Sequence, residues 1–341
     1  MPEKSGGPKL IEPQRNEPIT VGDVTVEPGR KVQIDLPFAR VVTGATESLP
    51  VKVVNGRSAG PNIWLSAAIH GDELNGIQII RRVLADLDAK TLRGALIAVP
   101  IVNPLGFIMQ SRYMPDRRDL NRSFPGSARG SAASRLAHLF MEQIVAQCSV
   151  GIDLHTATNH RINVPQIRAN LDEPTTLGLA RAFGAPFTIH ARLRDGSLRQ
   201  AAVERGKTML LYEAGQAHRF DDEAIEAGVV GVMRTLRSMG MIDARLPRIK
   251  PTRLIRRTRW MRARRGGIVE IEVALGEFVE KGQTVASISD AFGVRPTQVK
   301  ASETGWVIAR SLRPLVNSGD SLVHIAAQTG PDRDEPAERR R

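Results

Sequence analysis

Two short polar motifs, far apart in the chain, carry side chains that could bind a metal ion. His70-Gly-Asp-Glu73 follows the apolar run 63–69, and His155 follows a strand predicted at 150–154. Two imidazoles and one carboxylate can hold a zinc ion and leave one coordination position open, as catalytic zinc sites do. For the first motif alone, a hydrogen-bonded His beside a solvated Glu is the alternative. The second His at a second strand end favours one zinc ion per chain, bound by His70, Glu73 and His155.

Two aspartates lie beside these candidate ligands. Asp72 is in the first motif, and Asp153 precedes His155 by two residues. Carboxylates commonly accept a hydrogen bond from the second nitrogen of a metal-binding imidazole and so orient the ring. We expect Asp72 and Asp153 to orient the imidazoles in this way.

A loop rich in arginine follows the strand predicted at 95–102. It contains Ser111-Arg-Tyr113 and then Asp119-Leu-Asn-Arg122. A guanidinium group suits bidentate pairing with a carboxylate, so Asn121 and Arg122 could hold a substrate carboxylate. Arg112 could stabilise an oxyanion that forms next to the metal. A surface loop with solvated arginines is the alternative, and Arg117 and Arg118 fit that description.

Glu213 follows a strand predicted at 208–212, at the start of Glu-Ala-Gly-Gln216. Strands of an open α/β sheet place their ligand-binding residues at the carboxyl edge. A carboxylate there could act as a general base for hydrolysis. Without the other motifs, a surface Glu after a strand would be the default interpretation.

The elements that must position these groups alternate along the chain. Strands that are buried on both faces form near-continuous apolar runs, and apolar residues three or four apart indicate helices. Their alternation predicts an α/β domain with a mixed central sheet flanked by helices. Strands are predicted at 63–69, 95–102, 150–154 and 208–212, helices at 75–87, 134–146, 176–183 and 221–239, and β structure across 19–54.

The helical pattern ends near residue 250. From 266 to 327, short β runs alternate with glycine turns, which predicts a small all-β module. Its turns at 276–283 and 316–320 resemble those of barrel-sandwich hybrid domains of the biotinyl and lipoyl type. Those carriers modify a lysine in a tight hairpin, whereas the segment 289–293 has none. A structural or lid role is therefore favoured over that of a swinging arm.

Length and composition indicate two domains in a cytoplasmic protein. The chain has 341 residues, 41% of them hydrophobic, and a single cysteine, Cys148. No apolar run reaches the roughly 20 residues that span a bilayer, and the N-terminus has no secretory apolar region. The predicted segments are a flexible N-terminus at 1–18, the motif-bearing domain at 19–248, the β module at 249–328 and a disordered tail at 329–341.

A formal net charge of +12 leaves three interpretations. The basic cluster at residues 253–265 could bind phosphates. Alternatively, it is a solvated junction between domains, or its positive field attracts a small anionic substrate. The chain has no recognised nucleic-acid motif and no aromatics interleaved with this charge, which disfavours nucleic acid. A small anionic substrate is thus the expected partner, with no membrane partner; the oligomeric state, including a homo-oligomer, is left open.

Four motifs occur in the order seen in one enzyme family. The chain resembles the succinylglutamate desuccinylase/aspartoacylase family, a branch of the zinc carboxypeptidase-like enzymes, over roughly residues 45–330. The resemblance implies a zinc exopeptidase-like fold with a C-terminal β module. The motifs are His70-Gly-Asp-Glu73, Asp119-Leu-Asn-Arg122, Asp153-Leu-His155 and Tyr212-Glu-Ala-Gly215.

The resemblance also implies a role for each candidate residue. Alignment with the family implies three zinc ligands, one catalytic base, one group that polarises the scissile carbonyl and three contacts to the substrate carboxylate. The zinc ligands would be His70, Glu73 and His155, and the catalytic base would be Glu213. Arg112 would polarise the carbonyl, and the contacts to the substrate carboxylate would be Asn121, Arg122 and Arg168.

The sequence therefore predicts a zinc-dependent amidohydrolase. It would remove the acyl group from an N-acyl amino acid or a similar small carboxylate. A metallocarboxypeptidase acting on peptide C-termini is the alternative within the same chemistry. A zinc-containing binding protein without activity and an RNA-binding protein are the alternatives from other classes.

Overall fold

The computed structural model describes residues 14–158, 160–248 and 251–328. Most of the predicted flexible N-terminus and the whole predicted tail at 329–341 lie outside the described residues. Residues 14–18 lie against the sheet, where the Asn16 amide donates to the Arg57 carbonyl at 3.0 Å and Arg15 forms a β-bridge with Ser58.

The N-terminal part, up to residue 248, contains ten strands and six α-helices among its described residues. The strands are β1 (Ile19–Val21), β2 (Val24–Val26), β3 (Arg30–Arg40), β4 (Thr46–Asn55), β5 (Ser58–Ala67), β6 (Arg93–Val99), β7 (Val150–Ala157), β8 (Arg161–Ala169), β9 (Phe187–His190) and β10 (Thr208–Gln216). The helices are α1 (Asn75–Asp86), α2 (Pro104–Ile108), α3 (Ala132–Gln143), α4 (Pro174–Phe183), α5 (Leu198–Glu204) and α6 (Asp222–Ser238).

The remaining strands form the C-terminal part. They are β11 (Arg253–Ile255), β12 (Thr258–Arg262), β13 (Gly267–Ile271), β14 (Phe278–Val279), β15 (Thr284–Ser289), β16 (Thr297–Lys300), β17 (Gly305–Ser311), β18 (Leu315–Val316) and β19 (Ser321–Ala327).

A large mixed sheet forms the centre of the molecule. Its order is β12-β19-β17-β8-β10-β7-β5-β6-β4-β3. The four central strands β6, β5, β7 and β10 are parallel, whereas β4 and β8 run antiparallel to their inner neighbours. The predicted mixed α/β fold is confirmed.

Helices cover both faces of this sheet. One apolar layer packs α1, α4 and α6 against one face, and a second layer packs α3 and α5 against the other. All four predicted helices are present, as α1, α3, α4 and α6, with ends that differ from the predicted bounds by a few residues. Ile152 and Leu154 of β7 lie in the first layer, so the alternation of a strand turns Asp153 and His155 toward the second.

Sheet pairing extends from the N-terminal part into the β module. Strand β8 pairs with β17, where Asn163 is opposite Ala309, and β17 continues through β19 to β12. Four further strands form a second sheet in the order β16-β15-β13-β18, which confirms the β-rich C-terminal module. The boundary at residues 248 and 249 stays a prediction, because the large sheet crosses it.

The basic cluster at 253–265 lies at this junction. Arg256 forms an ion pair of 2.7 Å with Asp172, and the Arg253 guanidinium lies 5.7 Å from the ring centroid of Phe187 and 5.0 Å from that of Trp306. These contacts join the two parts of the chain, which agrees with the solvated-junction interpretation of the charge.

The four predicted strands end a few residues away from the predicted bounds, and in two of them the difference moves a candidate site residue into the strand. His155 and Glu213 were expected just after their strands, and that placement is wrong, since they lie inside β7 and β10. The two strands continue to pair as parallel neighbours beyond their apolar segments, so polar residues do not end them. Of the described helices, none is both long and apolar enough to cross a membrane.

Candidate active site

The loop between β5 and α1 carries the first two candidate ligands, His70 and Glu73. Gly71 packs directly on α2, and a side chain at Gly71 would overlap the backbone of Gly106. The Gly71 amide donates to the Ser111 carbonyl at 2.9 Å. Asn103 caps α2 by accepting from the Gly106 amide at 2.8 Å. The glycine of the first motif thus lets the loop fit against the segment that leads to Arg112.

His70, Glu73 and His155 form a compact buried group. Their ligand atoms all lie within 4.8 Å of one another. His70 Nδ1 lies 2.6 Å from Glu73 Oε1, and His155 Nδ1 lies 2.9 Å from Glu73 Oε2. One nitrogen of each imidazole and both carboxylate oxygens therefore face one another. This nitrogen and oxygen donor set fits a zinc ion with three protein ligands.

The other nitrogen of each imidazole is held by an aspartate. His155 Nε2 lies 2.7 Å from Asp153 Oδ2, as predicted, and Ser66 Oγ donates to Asp153 Oδ1 at 2.7 Å. His70 Nε2 lies 3.2 Å from Asp119 Oδ1. The role expected for Asp72 thus belongs to Asp119; Asp72 Oδ1 is buried without a hydrogen-bond partner among the described residues.

The electrostatics of this group favour ionised carboxylates. Burial opposes ionisation of Glu73, yet the imidazoles of His70 and His155 hold its pKa well below the usual range. Burial likewise opposes a charge on His155, but Asp153 and Glu73 outweigh it and raise the pKa of His155 well above its usual value. A cation could replace the protons that these imidazoles attract.

Arg112 lies at the edge of the same group. Its Nη2 donates to Asp119 Oδ2 at 2.8 Å, and its Nη1 lies 3.3 Å from His70 Nδ1. Burial lowers the pKa of Arg112, but Asp119 and Glu73 outweigh that effect and raise it. The guanidinium is therefore a fixed positive charge beside the candidate metal ligands.

Strand register brings Glu213 to this site. Glu213 of β10 is paired with His155 of β7, and paired residues on neighbouring strands face the same side of a sheet. Glu213 Oε2 accepts from Asn163 Nδ2 at 2.6 Å, and its Oε1 lies 3.9 Å from Arg168 Nε. Asn163 was missed from the sequence, although the alternation of polar and apolar residues in 161–164 is a signal for a half-buried strand.

Asn121 and Arg122 lie in a short 3-10 turn that begins after Asp119. Asp119 Oδ1 accepts from the Asn121 amide at 2.9 Å, so the carboxylate near His70 also fixes this turn. Asn121 Oδ1 accepts from the Leu198 amide at 2.9 Å, which leaves the Asn121 amide nitrogen as a donor. The side chain of Arg122 is exposed at the rim.

All eight predicted site residues line one cavity of about 690 Å³. The structure thus brings together side chains that lie up to 143 positions apart in the chain (213 − 70). The sequence interpretation missed further basic residues on its walls. Among them, Arg199 donates to the Ala191 carbonyl at 3.1 Å, and burial lowers its pKa to about 10. The other missed basic residues of the lining are Arg161, Arg192 and Arg194.

The fold and the site define an α/β protein with a buried His–Glu–His candidate metal centre in a cavity rich in arginine. Residues 59–239 match the model of the family described as succinylglutamate desuccinylase/aspartoacylase catalytic domain. This match covers more than half of the chain, so the protein belongs to that family. The resemblance that the four motifs indicate is confirmed.

Three relatives illustrate the similarity. The chain is 31% identical to the N-alpha-acetyl-L-2,4-diaminobutyric acid deacetylase of Halomonas elongata over 82% of this chain and 85% of that protein. It is 30% identical to the succinylglutamate desuccinylase of Pseudomonas aeruginosa over 38% of this chain and 42% of that enzyme. The crystal structure of a succinylglutamate desuccinylase/aspartoacylase from Rhodobacter sphaeroides matches with a TM-score of 0.80 and 26% identity, over 89% of this chain and 98% of that one.

Proposed function

We propose that this protein is a zinc-dependent deacylase that hydrolyses the amide bond of an N-acyl amino acid or a similar small carboxylate. The observation that carries the proposal is the register of β7 and β10, which places Glu213 beside His155. A base next to a candidate metal ligand is what amide hydrolysis needs. The deacetylase and desuccinylase names of the relatives support the same reaction class.

His70, Glu73 and His155 would hold the zinc ion. When bound there, zinc supplies a Lewis acid that polarises a carbonyl and lowers the pKa of water toward neutrality. The donor set fits such an ion because Asp119 and Asp153 already orient both imidazoles.

The remaining side chains supply the proton transfers and the positioning. Glu213 accepts a proton from the attacking water and then donates it to the amine nitrogen as the carbon–nitrogen bond breaks. Arg112 stabilises the negative charge that develops on the carbonyl oxygen. Asn121 and Arg122, with Arg168 as a further contact, hold a substrate carboxylate and so fix the geometry of attack.

Substitution of Glu213 by Gln tests this assignment. We expect the zinc content to stay at one ion per chain, while kcat on the best N-acyl amino acid falls by about 100-fold or more, the range for loss of a general base. Glu280, exposed in the β module, offers a matched control, and Glu280→Gln should keep full activity. Full activity in Glu213→Gln would rule out the base assignment.

A substrate panel separates the deacylase from the metallocarboxypeptidase. Zinc-loaded protein is assayed on acetyl-, succinyl- and longer acyl-amino acids, on the corresponding esters and on short peptides. The proposal predicts the highest kcat/KM on an acyl-amino acid. Hydrolysis of peptides alone would contradict it and would favour the carboxypeptidase alternative.

A further inference from the structure

The β module forms part of the cavity wall. Trp260 of β12 lines the cavity. A row of paired residues leads from it across the sheet: Trp260 on β12, His324 on β19, Ala309 on β17 and Asn163 on β8. Asn163 is the residue that donates to Glu213. Because paired residues face the same side of a sheet, this row runs across one face from the module to the candidate base.

Trp260 lies in a stack that includes a cation. The imidazole of His324 stacks on the indole, with ring centroids 4.4 Å apart and an interplanar angle of 8°. The guanidinium of Arg161, on β8, lies 5.0 Å from the centroid of the same indole. An Arg within about 6 Å of a Trp ring is attracted by the ring quadrupole. Burial lowers the pKa of His324 to about 3, so the neutral imidazole does not repel Arg161.

Three arginines of the cavity are half-buried, Arg112, Arg161 and Arg168, and Arg161 differs from the other two in its partners. Arg112 pairs with Asp119, and Arg168 lies near Glu213. Arg161 lines the cavity, and among the described residues the indole is the contact recorded for its guanidinium. Asp320 acts on its charge without an ion pair or a hydrogen bond to it being recorded. Burial, with the nearby Arg262, lowers the pKa of Arg161. A partly desolvated guanidinium gains most from an anionic partner with bidentate geometry.

We propose that Arg161, held on Trp260 of the β module, selects substrates that carry a second carboxylate besides the one held by Asn121 and Arg122. This inference rests on the proposed deacylase function. Arg161 would contact the substrate, whereas Trp260 would position Arg161. The β module would thereby contribute to substrate selection.

Two matched pairs of substrates test the selection. N-succinylglycine and N-butyrylglycine differ at the end of the acyl group, and N-acetylglutamate and N-acetylglutamine differ in the amino-acid side chain. In Arg161→Gln we expect KM to rise and kcat/KM to fall by about 10- to 100-fold for the dicarboxylate of at least one pair, as loss of a charge-assisted hydrogen bond predicts. Its uncharged counterpart should change by less than about twofold.

Variants of Trp260 separate positioning from a structural role. Trp260→Leu should shift the same pair in the same direction, and Trp260→Phe, which keeps an aromatic face, should restore the preference. A purely structural role would lower both members of a pair equally. Arg259 is the control: its side chain is 65% exposed and lies 4.0 Å from Glu303. Arg259→Gln removes the same charge and should leave the preference unchanged.

Failure of this inference is distinguishable from failure of the proposed function. Binding of succinate to the full-length zinc-loaded protein by calorimetry needs no turnover, and we expect it to weaken in Arg161→Gln and to persist in Arg259→Gln. If no compound is hydrolysed but this binding pattern is found, the deacylase proposal fails and the anion contact stands. If Arg161→Gln matches the unchanged protein in both binding and preference, the inference is overturned.

Discussion

In each imidazole of the candidate metal centre, the two ring nitrogens face different partners. The Nδ1 atoms of His70 and His155 face Glu73, and the Nε2 atoms face Asp119 and Asp153. The aspartates fix the ring orientations before any ion binds, and they strengthen the imidazoles as donors. Such fixed rings reduce the reorganisation that metal binding requires.

This arrangement predicts unequal effects of two buried aspartates. Asp153→Asn should weaken zinc binding by about 10- to 100-fold, because the partner of His155 loses its charge. Asp72→Asn is the control, since Asp72 Oδ1 contacts neither imidazole, and we expect a change of less than about threefold. Competition with a chelator measures both affinities. Equal losses in the two variants would contradict the geometry.

The pKa shifts of the imidazoles predict a pH dependence of metal affinity. Glu73 and Asp119 outweigh burial and raise the pKa of His70, and that of His155 is also raised. Zinc binds the neutral imidazole, so binding must release any proton present. The apparent affinity should therefore rise with pH from about pH 6 and level off above the raised pKa values. Calorimetry in buffers of different ionisation enthalpy would detect the released protons, and an affinity independent of pH would contradict this.

Among the elements, β7 is the strand on which the site depends most. It lies between β5 and β10, so its register sets the positions of both Ser66 and Glu213 relative to Asp153 and His155. Its neighbour Trp64 is fully buried under the site, and a side chain at Gly151 would overlap the indole ring. Only glycine leaves room for this indole without a shift of the strands.

Gly151→Ala should therefore destabilise the protein by about 1–3 kcal/mol, the usual cost of overpacking a core. Gly178 in α4 has open space around it, so Gly178→Ala should stabilise by about 0.4–1 kcal/mol. Urea denaturation measures both effects. A Gly151→Ala variant as stable as the unchanged protein would show that the strands can shift to accommodate the methyl group.

At the scale of the whole molecule, one sheet joins the N-terminal part to the β module. An apolar cluster also crosses the junction, with Phe187 and Ile189 from one side packed against Ile255, Ile308 and Ala326 from the other. Ion pairs such as Arg256–Asp172 add contacts at the surface. Shared backbone pairing and a shared core couple the folding of two parts more strongly than a flexible linker would.

Coupled parts should unfold together. The six described α-helices all lie between residues 75 and 238, so far-UV circular dichroism follows the N-terminal part. In a Trp64→Phe variant, the remaining tryptophans, Trp260 and Trp306, report on the β module. We expect the two probes to give the same urea midpoint, as two-state unfolding requires. An earlier fluorescence transition would show that the module unfolds independently.

The sequence by itself determined the fold class and most of the candidate site. Buried apolar runs and helical periods are properties of local segments, so the α/β pattern and the change to β structure near residue 250 could be predicted without partners. The strand-end and loop positions of His70, Glu73 and Arg112 follow from the same local patterns. The order of the motifs along the chain identified His155, Asn121, Arg122 and Glu213 as further candidate site residues.

Tertiary structure decided which groups touch. Local periodicity shows which face of a strand is buried but not which strand pairs with it, so the positions of Glu213 beside His155 and of Asn163 beside Glu213 required the register. Whether Asp119 or Asp72 contacts the His70 imidazole depends on how the segment after α2 packs against the loop that carries His70. The stack of Arg161 on Trp260 joins residues 99 positions apart (260 − 161), on strands β8 and β12, which lie in one sheet with β17 and β19 between them.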